Sequence, residues 1–207
     1  MSAYRVGLTG GLAGGKSTLA GWMREAGFQV IDADELVAEL YQPGGEGAAA
    51  VAALFGPGAL DPRGGVDHAE VAARVFADPQ ARRALERAIH PLVRQRFAAI
   101  ADHGGGVVVL EATLLVEAGY APDFDLVVTV EADPETRLRR ATARGLEPAA
   151  AAARLAAQGD GAQRRAAAHR IVANDGDLSG FRRQADALIA EVRRLSSRTA
   201  PDPRPGL

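Results

Sequence analysis

Gly10, Gly15, Lys16 and Ser17 stand at the spacing G-x-x-x-x-G-K-[ST], inside the stretch Tyr4–Leu19 that reads YRVGLTGGLAGGKSTL. The chemistry of that spacing is phosphate binding. Gly10, Gly11, Gly14 and Gly15 let the backbone adopt positive φ angles and bring N–H groups close to phosphate oxygens. The helix that starts near Lys16 adds the positive end of its dipole. In such a loop Lys16 holds the outer phosphates and Ser17 a magnesium ion, so Gly11, Leu12, Ala13, Gly14, Gly15, Lys16, Ser17 and Thr18 form the candidate nucleotide site. The 24 basic residues include one lysine, Lys16. A compact ammonium reaches between phosphates where a broad guanidinium fork fits poorly.

Carboxylates are the second set of candidates. Asp32 and Asp34 follow the short apolar run Phe28–Ile31, and Glu111 follows Val107–Leu110, the most strand-like run in the chain. A carboxylate at Asp32 can accept the proton of a hydroxyl that attacks a γ-phosphate. Asp34 is open to two readings, cap of a helix over 35–41 or substrate contact. Glu111 stands where P-loop enzymes place the carboxylate that orients magnesium-bound water, although aspartate is more usual.

Arginines form the third set. Arg137, Arg139, Arg140 and Arg144 crowd a helical stretch that ends at Gly145. They suit a lid that neutralises a transferring phosphoryl group, or a surface helix paired with Glu131 and Glu135. Arg82, Arg83, Arg87, Arg94 and Arg96 read as a solvated helix face.

The elements that must position these residues follow from the hydrophobic pattern. Strand-like runs at 4–9, 28–31, 107–110, 126–130 and 171–173 alternate with helical segments, which predicts a parallel sheet with crossover helices. Ligands of such sheets lie at the carboxyl ends of the strands. Between the second and third runs lie more than fifty residues without a convincing strand, broken at Pro43–Gly47, Gly56–Gly58 and Pro62–Gly65. This stretch predicts a helical insertion over 43–103, in which His90-Pro91 interrupts the pattern. The region 135–165 is the candidate lid. A terminal amphipathic helix is expected over 179–195, and the proline-rich 196–207 reads as a disordered tail. The whole is one kinase-sized domain over 1–195.

Composition narrows the function. The 207 residues carry a net charge of −2, with 47% hydrophobic and 24% charged residues and no cysteine. These values exclude disulfides and thiolate chemistry and give no global attraction to nucleic acid or a membrane surface. With neither a signal peptide nor an apolar run of about 20 residues, a cytoplasmic location is expected. A guanine-specific N-K-x-D motif is ruled out because the sole lysine is in the loop. What remains is a small kinase, and a base at Asp32 favours a hydroxyl acceptor.

The chain resembles the dephospho-CoA kinase family from about Arg5 to Leu195. The resemblance rests on Gly7–Thr18, Asp32-Ala33-Asp34, VFADPQARRALERAIHPLV (75–93), Leu114-Leu115-Val116-Glu117, Arg140 with Arg144, Gln158 and Asn174-Asp175-Gly176. It implies ATP- and Mg2+-dependent phosphorylation of the ribose 3′-hydroxyl of dephospho-CoA, the last step of coenzyme A synthesis. The implied fold is a P-loop NTPase, a three-layer α/β/α sandwich on a five-stranded parallel sheet, with a helical CoA-binding insertion and a lid. Carried over, Asp32 is the general base, assisted by Lys16 and Arg140. Ser17 and Glu111 face the metal, Arg140 and Arg144 are lid arginines, and Asn174 and Gly176 form the adenine-side loop. Thr9, Asp34, His90, Leu115 and Glu117 fall on the acceptor side. The implied partner is a small molecule rather than nucleic acid or membrane, bound by a monomer or small homo-oligomer. Departures from the family pattern are Thr113 and Val116 in the stretch commonly Pro-Leu-Leu-Phe-Glu, Arg137 near a glutamine, Arg164 near a lysine, His169 near an aspartate, and Ala38 near a basic or histidine position. Alternatives left open are a kinase for another small alcohol or nucleotide, and a nucleotide-binding regulator without catalysis.

Overall fold

Five short strands, nearly continuous in apolar residues, build a sheet in the order β2-β3-β1-β4-β5, all parallel. They are β1 (Tyr4–Gly10), β2 (Gln29–Asp32), β3 (Val107–Glu111), β4 (Leu126–Glu131) and β5 (Arg170–Ala173). A computed structural model of the chain describes residues 3–199. β3 is buried at every position, as expected of a parallel strand covered on both faces. The register sets Leu8 beside Glu111, Gly10 beside Val130, and Glu131 beside Ala173. The end of β1 is therefore flanked by the ends of its neighbours on both sides.

The chain packs as two compact units, one of residues up to Ile31 and from Ala101 onward, the other of Asp32–Ile100. In the first, α1 (Lys16–Glu25) and α9 (Leu178–Thr199) cover one face of the sheet. Leu19 and Met23 from α1, and Phe181, Leu188 and Val192 from α9, join Val6, Leu8, Val109 and Val128 in one core. On the other face Leu115 and Phe124 crowd the bare Cα of Gly7, where a Cβ would come within 2.8 and 2.9 Å of them. Three further helices, α6 (Pro134–Ala143), α7 (Pro148–Ala157) and α8 (Ala162–Ala167), connect β4 to β5.

The second unit is helical: α2 (Ala33–Leu40), α3 (Glu46–Phe55), α4 (His68–Ala77) and most of α5 (Pro79–His103), which leads back to β3. Ala48, Val51, Ala59, Val66 and Val71 form its core. α5 runs through Pro91. A proline removes one backbone donor and strains the turn before it, but Ile89, Val93 and Phe97, each 5% exposed or less, hold the helix by burial. A break between α4 and α5 falls at Asp78, whose carboxylate accepts from the Gln80 N–H just after Pro79. At the chain end, α9 continues to Thr199, so 196–199 is helical where a tail was expected, and 200–207 lie outside the described residues.

Candidate active site

The loop 11–15 is held by contacts from distant parts of the chain. Gly14 N–H donates to Gly11 O at 3.0 Å, and Ala13 takes φ 57°, the one non-glycine positive φ among the described residues. Gly15, at φ 111°, is the N-cap of α1 and offers no side chain to cap it; a Cβ there would lie 2.2 Å from Asn174 Nδ2. With no acidic residue in its first turn, α1 presents an open positive end where Lys16 and the exposed Ser17 begin it.

Lys16 Nζ donates to Glu111 Oε1 at 2.7 Å, and Arg24 Nη2 lies 3.8 Å from Glu111 Oε2. Glu111 is almost wholly buried, so the strand end carries a carboxylate whose charge is compensated by two cations. Asn174, at the end of β5, donates from Nδ2 to Gly14 O at 2.8 Å and accepts from Arg140 Nη2 at 3.4 Å. Both ends of its amide are thus engaged by protein, and it acts on the loop backbone. Next to it, Asp175 accepts from the Asp133 N–H at 2.6 Å, which ties the β5 turn to the start of α6. Asp133 caps α6 through Thr136 N–H, and that hydrogen bond holds its carboxyl below the usual range. Gly176 and Arg144 are exposed. Arg140 Nη1 is a buried donor without a hydrogen-bond partner, which suits an anion.

A second polar cluster lies at the end of β4. Arg164, 1% exposed, donates to Glu117 Oε1 at 3.0 Å and lies 3.6 Å from Glu131 Oε1, which also accepts from the Thr129 hydroxyl at 2.6 Å. Glu117 therefore faces a buried guanidinium. Arg137, buried as well, has its pKa lowered by desolvation and by the nearby charge of Arg164, with Glu131 opposing. Thr9 and Leu115, predicted on the acceptor side, are both fully buried, with the Thr9 hydroxyl donating to Thr113 O at 3.1 Å. They shape the strand edge from beneath. Residues 113–119 form hydrogen-bonded turns rather than extended chain, closed by Ala118 N–H to Leu114 O and Tyr120 N–H to Leu115 O.

In the second unit Asp32 ends β2 and caps α2, its Oδ1 accepting from the Asp34 N–H at 2.9 Å. The helix starts before Glu35, so the cap is Asp32 rather than Asp34, which lies exposed in the first turn. His90 is half-buried on α5, and desolvation lowers its pKa against the opposing charge of Glu86. Sequence reasoning missed Arg137, Glu131 and Arg164 as a buried network and gave Gln158 no role. The only signal available was Gln158 as one residue of a longer pattern.

Among the described residues no group of three or more His, Cys, Asp or Glu side chains gathers as a metal site, and no helix is long and apolar enough to cross a membrane. Magnesium asks for less than that, because it keeps several waters and binds through one or two protein oxygens plus substrate phosphates. The exposed Ser17 hydroxyl and the lone carboxylate of Glu111 fit that demand.

A parallel sheet whose first strand runs into a glycine loop, a lysine and a serine at an open helix start, with arginine-bearing helices returning to the loop, defines a P-loop protein of the small-kinase type. A family model described as Dephospho-CoA kinase matches residues 4–180, and the chain belongs to that family. A dephospho-CoA kinase of Leifsonia xyli subsp. xyli is 42% identical over 195 residues, covering 91% of this chain and 98% of the relative. A crystal structure of a Thermus thermophilus protein superposes with a TM-score of 0.77 at 33% identity, covering 92% of this chain and 98% of that one. The dephospho-CoA kinase of Campylobacter jejuni shares the fold, with a TM-score of 0.67 at 24% identity over 96% of this chain and all of that one, 100%.

Proposed function

We propose that this kinase transfers the γ-phosphoryl group of ATP to the ribose 3′-hydroxyl of dephospho-CoA, giving coenzyme A and ADP. The observation that carries the reading is the family match together with an intact Lys16-Ser17 loop at an open helix start. In the transfer a bond forms between the 3′-oxygen and the γ-phosphorus, and the bond from that phosphorus to the β–γ bridging oxygen breaks. Asp32 takes the hydroxyl proton; β2 ends in Asp32 as β1 ends at the loop, and parallel strands present such ends on one edge. Lys16 leaves Glu111 for the outer phosphate oxygens, and Arg140, with a buried donor to spare, meets the charge that spreads over the transferring group. Arg144 joins it from the end of α6.

Ser17 and Glu111 are the residues that would hold magnesium, which when bound draws charge from the phosphate oxygens. Gly176 beside the adenine, and Asp34, His90 and Glu117 toward the acceptor, complete the assignment. The same reading takes the enzyme as cytoplasmic, a monomer or small homo-oligomer acting on a small molecule, in keeping with a cysteine-free chain of net charge −2.

The test is ADP release from ATP and magnesium in the presence of dephospho-CoA, adenosine, AMP or CMP. Stimulation by dephospho-CoA alone is expected. Stimulation by a different acceptor would replace the substrate, and nucleotide binding without stimulation by any of them would replace the kinase reading.

A further inference from the structure

We propose that Gln158 and Arg137 act together as a positioning latch for the phosphate loop, fixing the two peptide groups that flank Leu12. Gln158 Oε1 accepts from Leu12 N–H at 2.8 Å and from Arg137 Nη2 at 2.8 Å, while Arg137 Nε donates to Leu12 O at 2.9 Å. Three hydrogen bonds thus close a ring through one residue of the loop. Arg137 is 5% exposed, and its guanidinium lies so close beneath the loop that a Cβ on Gly11 would fall 2.2 Å from Nη2.

The ring acts where the loop is under most conformational tension. The peptide after Leu12 leads into Ala13, whose φ of 57° is disfavoured for a side-chain-bearing residue and persists only when surrounding structure imposes it. In a planar trans peptide the N–H points opposite to the C=O. Holding Leu12 O against Arg137 therefore turns the Ala13 N–H away from Arg137 and keeps that carbonyl away from any anion bound on the opposite side. Release of the latch lets this peptide flip and sets an oxygen where an amide hydrogen stood, which repels phosphate. On the far side Asn174 holds Gly14 O, so Ala13 lies between two anchored positions.

The latch also connects two helices to the loop. Arg137 is on α6, Gln158 is the C-cap of α7, and the two helices pack against each other. Their relative position therefore bears directly on the loop's shape. Gln158 works through its oxygen alone, which separates its role from that of a generic polar residue.

This inference rests on the loop being a nucleotide site, and its test is kept independent of the acceptor. ADP binding is measured by calorimetry on the full chain, alongside the KM for ATP and for dephospho-CoA. Gln158→Leu strands the Leu12 N–H and Arg137 Nη2, and weakens ADP about tenfold, with the KM for dephospho-CoA little changed. Gln158→Glu keeps the acceptor and binds ADP within about threefold of wild type. Arg137→Lys keeps a charge but cannot serve both partners, and weakens ADP as Gln158→Leu does. ADP affinity unchanged in Gln158→Leu, or lost equally in Gln158→Glu, would overturn the latch. If the wild-type chain binds ADP but phosphorylates no acceptor, the kinase reading fails while the latch is still decided by the binding data.

Discussion

Lys16 Nζ lies 2.7 Å from Glu111 Oε1, and the carboxylate it meets is 2% exposed. The lysine we assign to the nucleotide phosphates is thus also the nearer of two cations compensating a buried charge, since Arg24 stands off at 3.8 Å. Lys16→Met leaves Glu111 with the distant partner alone. The expected result is a loss of about 3 kcal/mol in stability together with a turnover reduced at least about a hundredfold. Chemical denaturation and acceptor-dependent ADP release measure the two. A variant as stable as wild type would mean that Arg24 suffices for Glu111.

Asp32 carries two assignments that substitution can separate. As N-cap it accepts the Asp34 N–H, and asparagine caps a helix about as well as aspartate. As a base it needs a carboxylate, which asparagine lacks. Asp32→Asn should therefore melt with wild type while its turnover falls by about a hundredfold or more. Asp32→Ala should lose the activity and about 1 kcal/mol of stability. Turnover of Asp32→Asn within a few-fold of wild type would leave Asp32 as a cap alone.

The phosphate loop was legible because its information is local: glycines, lysine and serine at fixed spacing between an apolar run and a helix. The strands were legible for a related reason, since a strand covered on both faces, such as Val107–Glu111, must be apolar throughout. What holds the loop was not. Asn174 meets Gly14 across 160 positions, and Gln158 meets Leu12 across 146, distances over which one sequence carries no pairing signal. The cap of α2 was read at Asp34, as one of two readings, because Asp32-Ala33-Asp34 offers two candidate caps two residues apart. The first wins once β2 ends there and the chain turns directly into the helix. His169 was read only as a departure from an expected aspartate. In the fold its N–H donates to Val127 O at 2.8 Å and its Nδ1 accepts from Val127 N–H at 2.8 Å, so the imidazole supplies the acceptor and brackets β4.

Arg164 anchors the cluster at the end of β4. At 1% exposure it is shared by Glu117 and Glu131, and removing it takes the guanidinium from both carboxylates, leaving Glu131 the Thr129 hydroxyl. Arg164→Ala should lower stability by about 3–5 kcal/mol. Arg164→Lys retains the charge without the planar fork and should lose less than half as much. Urea denaturation of the three proteins orders them. Equal losses for alanine and lysine would show that the fork geometry, rather than the charge, is what the site requires.

His90 makes stability depend on pH in a stated direction. Desolvation lowers its pKa from the ordinary 6.5, with Glu86 opposing, so the folded chain favours the neutral ring. Between 6.5 and the lower folded value the unfolded chain binds a proton that the folded chain refuses. The contribution is therefore fully present above 6.5 and is lost as pH falls through 6.5 toward the folded pKa. Because the ring is only half-buried, the slope stays below the ceiling of about 1.4 kcal/mol per pH unit that one proton allows. His90→Gln carries no titrating group, so its stability should fall less steeply than wild type as the medium is acidified from neutrality. Denaturation midpoints of both proteins across that range decide it. Parallel curves would assign the wild-type acid sensitivity to other groups, whereas a shallower fall for His90→Gln identifies the half-buried imidazole of α5 as its source.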